Sequence, residues 1–131
     1  MAVHVVRLGS ARSPGEGLRV GTVRHPPRGV AKADYASRGY YDVWLPELAP
    51  SAALVKAGQQ AQDEGTERTW RSFERRYRAE MKRPDAARLL DLLAAISHRM
   101  DLAVGCYCED ERRCHRAVLR ALLAERGAKL A

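Results

Sequence analysis

The sequence predicts an α/β fold, a single domain whose small, mostly parallel sheet is flanked by helices, and three observations carry that expectation. Short apolar runs stand near both ends of the chain, at residues 3–8 and at Leu102-Ala103-Val104-Gly105. Three stretches of helical periodicity lie between them and a fourth follows the late run. Strands early and late with helices between them imply that the late strand joins the early ones in parallel. The 131 residues, 46% of them hydrophobic, have the size of one domain with one core, so residues 1–131 are read as a unit.

The first strand covers residues 3–8 and the second residues 18–24, Leu18-Arg19-Val20-Gly21-Thr22-Val23-Arg24. The polar stretch from Gly9 to Gly17 separates them and reads as a loop. It holds two glycines at the spacing of a phosphate-binding loop, but Glu16-Gly17 stands where such a loop needs Lys and Ser or Thr, so a nucleotide triphosphatase is excluded. His25-Pro26-Pro27-Arg28-Gly29 then ends the second strand, because neither proline can donate to a sheet. That places Arg24 and Arg28 at a strand end. Tyr40 to Leu45 reads as a third, short strand or an irregular edge, ended by Pro46.

Ser51 is placed to cap a helix running to about residue 62, with Gly65 and Thr66 before the next. In that second helix Trp70, Phe73, Tyr77 and Met81 recur at spacings of three and four and form one apolar stripe. A stripe of this kind is core rather than a base-stacking platform. Pro84 and Asp85 suit the start of a third helix, and Leu89, Leu90, Leu93 and Ile96 make its buried side. After the late strand, residues 117–123 begin a last helix that stops near Gly127, leaving Ala128 to Ala131 as a frayed end.

Between the late strand and the last helix stands Cys106-Tyr107-Cys108-Glu109-Asp110-Glu111-Arg112-Arg113-Cys114-His115-Arg116, which holds all three cysteines of the chain. A strand-to-helix junction in a parallel sheet is where ligands gather, since the helix start offers unpaired N–H groups and a positive dipole end. Four soft and borderline ligands in one loop raise the question of zinc. The spacing argues against it, because Cys106-x-Cys108 lies on a strand rather than at a tight knuckle, and no metal or cofactor is expected. Cys106 followed by Arg112 has the count of an oxyanion-binding Cys-x5-Arg loop, but Glu109-Asp110-Glu111 would repel the anion. Cys114 is better placed as a reactive thiol, with Arg112, Arg113 and His115 beside it at a helix start. Arg116 there, with Arg24 and Arg28 from the other strand, would converge on a phosphate or carboxylate if the two strands are neighbours.

The residues also carry a resemblance. Gly17-Leu18-Arg19-Val20 entering a strand, Arg24 at its end, Pro27-Arg28-Gly29 after it, Glu47-Leu48-Ala49-Pro50-Ser51 before a helix, Phe73 to Met81, and Cys106 eight positions before Cys114-His115-Arg116 together resemble the domain of unknown function 488 family, its YeaO-like short branch. The resemblance implies the same α/β fold and a site at the Cys-His-Arg signature. Two positions depart from the family: Val23 stands where an acidic residue is common, and Pro26 where Trp is common. An activity that used that acid would be lost or altered here.

Charge supplies the rest. The net charge of +7 favours polyanionic partners, a nucleotide or nucleic acid, although an arginine-rich composition alone would give the same balance. No apolar stretch has the length of a membrane span, no signal peptide opens the chain, and three unevenly spaced cysteines do not make a secreted disulfide framework, so a cytoplasmic protein with reduced thiols and no membrane partner is expected. The leading expectation is an enzyme acting on a phosphate-bearing substrate, with Arg24, Arg28 and Arg116 on the anion and Cys114 or His115 in the nucleophilic or acid/base role. A non-catalytic nucleic-acid-binding module and a thiol redox protein are the rivals.

Overall fold

The computed structural model describes residues 1–131. Four parallel strands, β1 (Val3–Arg7), β2 (Leu18–Gly21), β3 (Val43–Trp44) and β4 (Leu102–Cys106), form one sheet in the order β1-β4-β2-β3. The late strand thus lies between the two early ones, and every residue of β4 is buried. Such a strand reads as a continuous apolar run rather than an alternating one, because helices or loops cover both of its faces. Four helices complete the fold: α1 (Ala52–Glu64), α2 (Glu67–Glu80), α3 (Pro84–Ile96) and α4 (His115–Glu125). None is long and apolar enough to cross a membrane.

Local chemistry sets the helix ends. The Ser51 hydroxyl accepts from the Leu54 N–H and Thr66 caps α2 through the Thr69 N–H, while Gly65, at φ 66°, closes α1 in the left-handed conformation that a residue with a Cβ resists. Pro84 occupies the first turn of α3, where its missing N–H costs nothing. The main core gathers Phe73, Tyr77 and Met81 of the α2 stripe with Leu90 and Leu93 of α3, Leu119 and Leu123 of α4, and Val20, Leu102 and Val104 of the sheet. A second, smaller cluster of Leu8, Val23, Tyr41, Cys106 and Cys114 sits apart from it.

The structure corrects two local expectations and narrows a third. The second strand stops at Gly21 rather than residue 24: the Thr22 N–H still donates to the Gly105 carbonyl at 2.9 Å, but no ladder follows. The segment Tyr40–Leu45 contributes a two-residue edge strand, Val43–Trp44, pinned where the Trp44 indole N–H donates to the Val23 carbonyl at 2.8 Å. The end of the chain is not frayed. Val3 N–H donates to Lys129 O at 2.8 Å and Ala131 N–H to Val3 O at 2.9 Å, so Leu130 pairs with the free edge of β1 and packs against the core.

Candidate active site

The eleven-residue Cys-rich motif folds into a compact crossing from sheet to helix. Cys106 ends β4 and Tyr107 to Asp110 form an irregular stretch. A short 3-10 turn at Glu111–Arg113 follows, begun by the Asp110 carboxylate accepting from the Arg112 N–H at 2.9 Å. Nothing in the sequence signals this turn, since three polar residues have no periodicity to read. Cys114 is then the N-cap of α4, with an extended backbone and no capping bond from its side chain, and His115 and Arg116 are its first helical residues. Glu111 anchors the turn to the helix through Arg120 at 2.8 Å.

That crossing gathers the thiols and the imidazole. The Cys106 and Cys114 sulfurs lie 2.8 Å apart, and His115 Nδ1 is 3.7 Å from the Cys114 sulfur. His115 Nε2 lies 2.8 Å from the Thr22 carbonyl oxygen and 3.2 Å from the Thr22 hydroxyl, whose own hydrogen donates to Gly105 O. With a carbonyl this close, Nε2 must be the protonated nitrogen, which leaves the Nδ1 lone pair turned toward Cys114. Burial pushes the imidazole pKa down to about 4, against the nearby Cys108 thiol group, so His115 is neutral at physiological pH. Tyr77, fully buried, donates to Leu48 O at 2.7 Å and meets the imidazole edge-on with ring centroids 5.5 Å apart.

The three thiols do not share their protons equally. Hydrogen bonds from Cys106 and Cys114, then from Gln62, hold Cys108 far below the ordinary thiol pKa despite its partial burial. The neighbouring Cys108 and Cys114 thiols, and its own burial, drive Cys106 up. Cys114 accepts from Cys106, which lowers it, but donation to Cys108 and burial prevail and push it up to about 11. Of the three, the half-exposed Cys108 sulfur has the surroundings that most favour the thiolate.

A cavity of about 500 Å3 opens over this cluster, and Cys106, Cys108, Cys114 and His115 are all part of its wall. Arg24 and Arg28 come from the chain after β2, Gln62 and Gly58 from α1, Tyr107 and Arg113 from the motif. β2 and β4 are neighbours, which was the condition for the two strand ends to converge. Arg24 donates to the Pro50 and Ala49 carbonyls, both at 3.0 Å, and neither it nor Arg28 takes part in an ion pair. Arg113 lies over the Trp70 ring and pairs with Glu67 at 2.7 Å, while its Nη1 is buried without a partner. No Asp or Glu belongs to the wall.

Of the residues singled out in the sequence, Arg24, Arg28, Cys114 and His115 therefore meet around one cavity. Arg116 does not reach its wall. It is 3% exposed, donates to the Cys108 carbonyl at 2.6 Å and leaves Nε unpartnered, so it braces the thiol loop from behind. The sequence placed Arg113 beside the Cys114 thiol but gave no role to Gln62 or Thr22, and it offered Cys108 only as one of four possible metal ligands. Gln62 and Thr22 reach the cluster only by tertiary folding, and nothing local marks them.

Exposure makes a direct prediction. In the reduced, folded protein, iodoacetamide should label Cys108 well before Cys106 and Cys114, each 2% exposed. Peptide mass mapping reads the order, and equal labelling of all three would contradict this geometry.

Comparison with protein-family models places the chain. The family model described as "Active DUF488-N3 subclade" aligns with residues 3–127, which takes in every strand and helix named above. No curated protein and no solved structure matches the chain.

Proposed function

Because the chain belongs to the DUF488 family, whose N3 subclade model spans nearly all of it, we propose that it is an enzyme acting on a phosphate-bearing substrate, a nucleotide or a nucleic-acid end, in the cavity over the thiol cluster. The observation that carries this reading is the wall's charge: three arginines, two of them without an ion-pair partner, and no carboxylate. In a cleft with low-dielectric walls such an excess attracts anions strongly. Arg24 is held in place by two backbone carbonyls, so it meets a phosphate with little further ordering. Arg28 and the unpartnered Nη1 of Arg113 complete the set of donors.

The reacting part of the substrate sits over Cys108, Cys114 and His115. Cys108 is the thiol a substrate meets first, with Cys114 and the neutral imidazole behind it. That the matched family is described as an active subclade supports a working site, and Cys114-His115-Arg116 stands where α4 begins.

Isothermal titration with nucleoside mono- and diphosphates and a short 5′-phosphorylated oligonucleotide tests the proposal. Arg24→Gln and Arg28→Gln should each weaken binding about tenfold, the scale of one charge-assisted hydrogen bond. Unchanged affinity in both variants, or equal affinity for the unphosphorylated nucleosides, would sink the reading. A second reading, a nucleic-acid-binding module without catalysis, draws on Arg68, Arg71, Arg75 and Arg76, all exposed along α2. Affinity that falls steeply with salt and ignores Arg24 and Arg28 would favour it.

A further inference from the structure

The cysteine–histidine cluster has features that anion binding leaves unused. Cys106, Cys114 and His115 offer two thiol sulfurs and one imidazole nitrogen, all within 4.8 Å of one another, and all three side chains are buried. We infer that these three residues hold a thiophilic divalent cation of the zinc type, with its fourth position open to the cavity. The inference rests on the proposed function only in assigning the open position to substrate or water.

The imidazole is set up as a ligand. A metal-bound histidine commonly donates its second ring N–H to a carbonyl or carboxylate, which fixes tautomer and ring orientation. Here Nε2 makes that bond to Thr22 O at 2.8 Å, and Nδ1 turns toward the sulfurs. A tetrahedral zinc with Zn–S of about 2.3 Å and Zn–N of about 2.0 Å holds its ligand atoms roughly 3.5–3.8 Å apart. The Cys114 sulfur and His115 Nδ1 already stand 3.7 Å apart. The Cys106 and Cys114 sulfurs, at 2.8 Å, need to part by roughly 1 Å, within reach of a small χ1 rotation at either residue.

Charge balance is the second, independent observation. Two thiolates cancel the cation, and an anionic ligand in the fourth position would leave one negative charge in a region with little water. Arg116 supplies the counter-charge. Its guanidinium reaches the thiol loop, donating to the Cys108 carbonyl at 2.6 Å, the side chain is 3% exposed, and its Nε has no partner. A buried donor left idle in the protein alone is a donor available to a thiolate or to a ligand on the metal. Arg116 is then a positioning residue rather than a ligand.

Cys106 and Cys108 do not form the tight knuckle that the spacing of structural zinc sites requires. The folded chain instead takes one sulfur from the end of β4 and the other two donors from the start of α4. Three protein ligands and an open position form the pattern of catalytic rather than structural zinc sites. Cys108, half-exposed on the cavity side, is left outside the ligand set.

Cobalt substitution in the full chain tests this. The reduced protein, stripped of metal, is titrated with Co2+ and its absorption recorded. One equivalent should bind, with a thiolate-to-cobalt charge-transfer band and the visible bands of a tetrahedral site. Loss of an outer-sphere partner alone typically costs about 10–100-fold in affinity, so Cys106→Ser and Cys114→Ser should each weaken binding by more than about 100-fold. Cys108→Ser should keep the site. X-ray absorption of the zinc-loaded wild type, which needs no variant to fold, should show both sulfur and nitrogen in the first shell.

Three free, alkylatable thiols with no charge-transfer band overturn the inference. So does a band that survives Cys114→Ser, or a zinc shell without sulfur. Arg24→Gln and Arg28→Gln should leave the cobalt spectrum intact, so a failed substrate assignment and a failed metal site are told apart.

Discussion

Glu16→Gln should destabilise the protein by about 3–5 kcal/mol, the loss expected when one partner of a buried ion pair is removed and the other charge is left in place. Arg19 is fully buried in β2 and Glu16 is 3% exposed, with the guanidinium Nε donating to the carboxylate. The same guanidinium donates to the backbone carbonyls of Ser10, Ala11 and Gly39. One side chain thereby ties two loops to the sheet. With total stabilities of domains this size at about 5–15 kcal/mol, the loss is a large share of the whole.

Acid should reveal the same pair. Burial alone would raise the Glu16 pKa, but the hydrogen bond and charge of Arg19, with the Ser13 N–H, bring it below the usual carboxylate value. A carboxyl group whose folded pKa is lowered adds stability that is fully present above its unfolded value of about 4.3 and is lost as pH falls through the lowered value. Asp42, lowered by Arg12 and the Arg19 N–H against its own burial, acts in the same window and in the same direction. Urea midpoints measured from pH 7 down to pH 3 should therefore fall for the wild type. In Glu16→Gln they should start low and fall less, and parallel curves would show that Glu16 is not the group responsible.

This network is also where the sequence was least legible. Alternation in a strand is read by hydropathy, yet here Leu18 is 41% exposed while Arg19 beside it is completely buried. Hydropathy assigns those two the opposite way. The segment Gly9 to Gly17 looked like a plain polar loop because its order comes from a side chain that follows it, and sequence patterns do not show that Arg19 reaches back to Ser10 and Ala11. The helices were legible for the opposite reason. Ser51, Thr66, Gly65 and the Trp70–Met81 stripe each act within a few residues of themselves, and each was found where its pattern placed it. The site was half legible: strand ends and a helix start locate it, whereas the partition of charge among three sulfurs depends on distances that only the fold creates.

A single methyl group at Gly17 should be nearly as damaging. Gly17 has φ of 77°, a region that costs a residue with a Cβ about 1–2 kcal/mol, and an added Cβ would also fall on the carbonyl of Asp101. That carbonyl is backbone, so relief must come from moving the chain rather than turning a side chain. Asp101 lies where β4 begins, and its carboxylate holds the Met1 amino group and the Ala2 N–H, each at 3.0 Å. Displacing it disturbs the start of β1, β2 and β4 together. Gly17→Ala should thus cost more than about 3 kcal/mol, the left-handed penalty plus a backbone clash. Gly29→Ala is the control. Gly29 has φ of 72° but nothing within 4 Å of its would-be Cβ, so only the conformational penalty applies, about 1–2 kcal/mol. Chemical denaturation of both variants separates the two contributions: a similar loss at each site would mean that the Asp101 contact yields easily, and a much larger loss at Gly17 would locate a rigid joint directly beneath the strands that carry the thiol cluster.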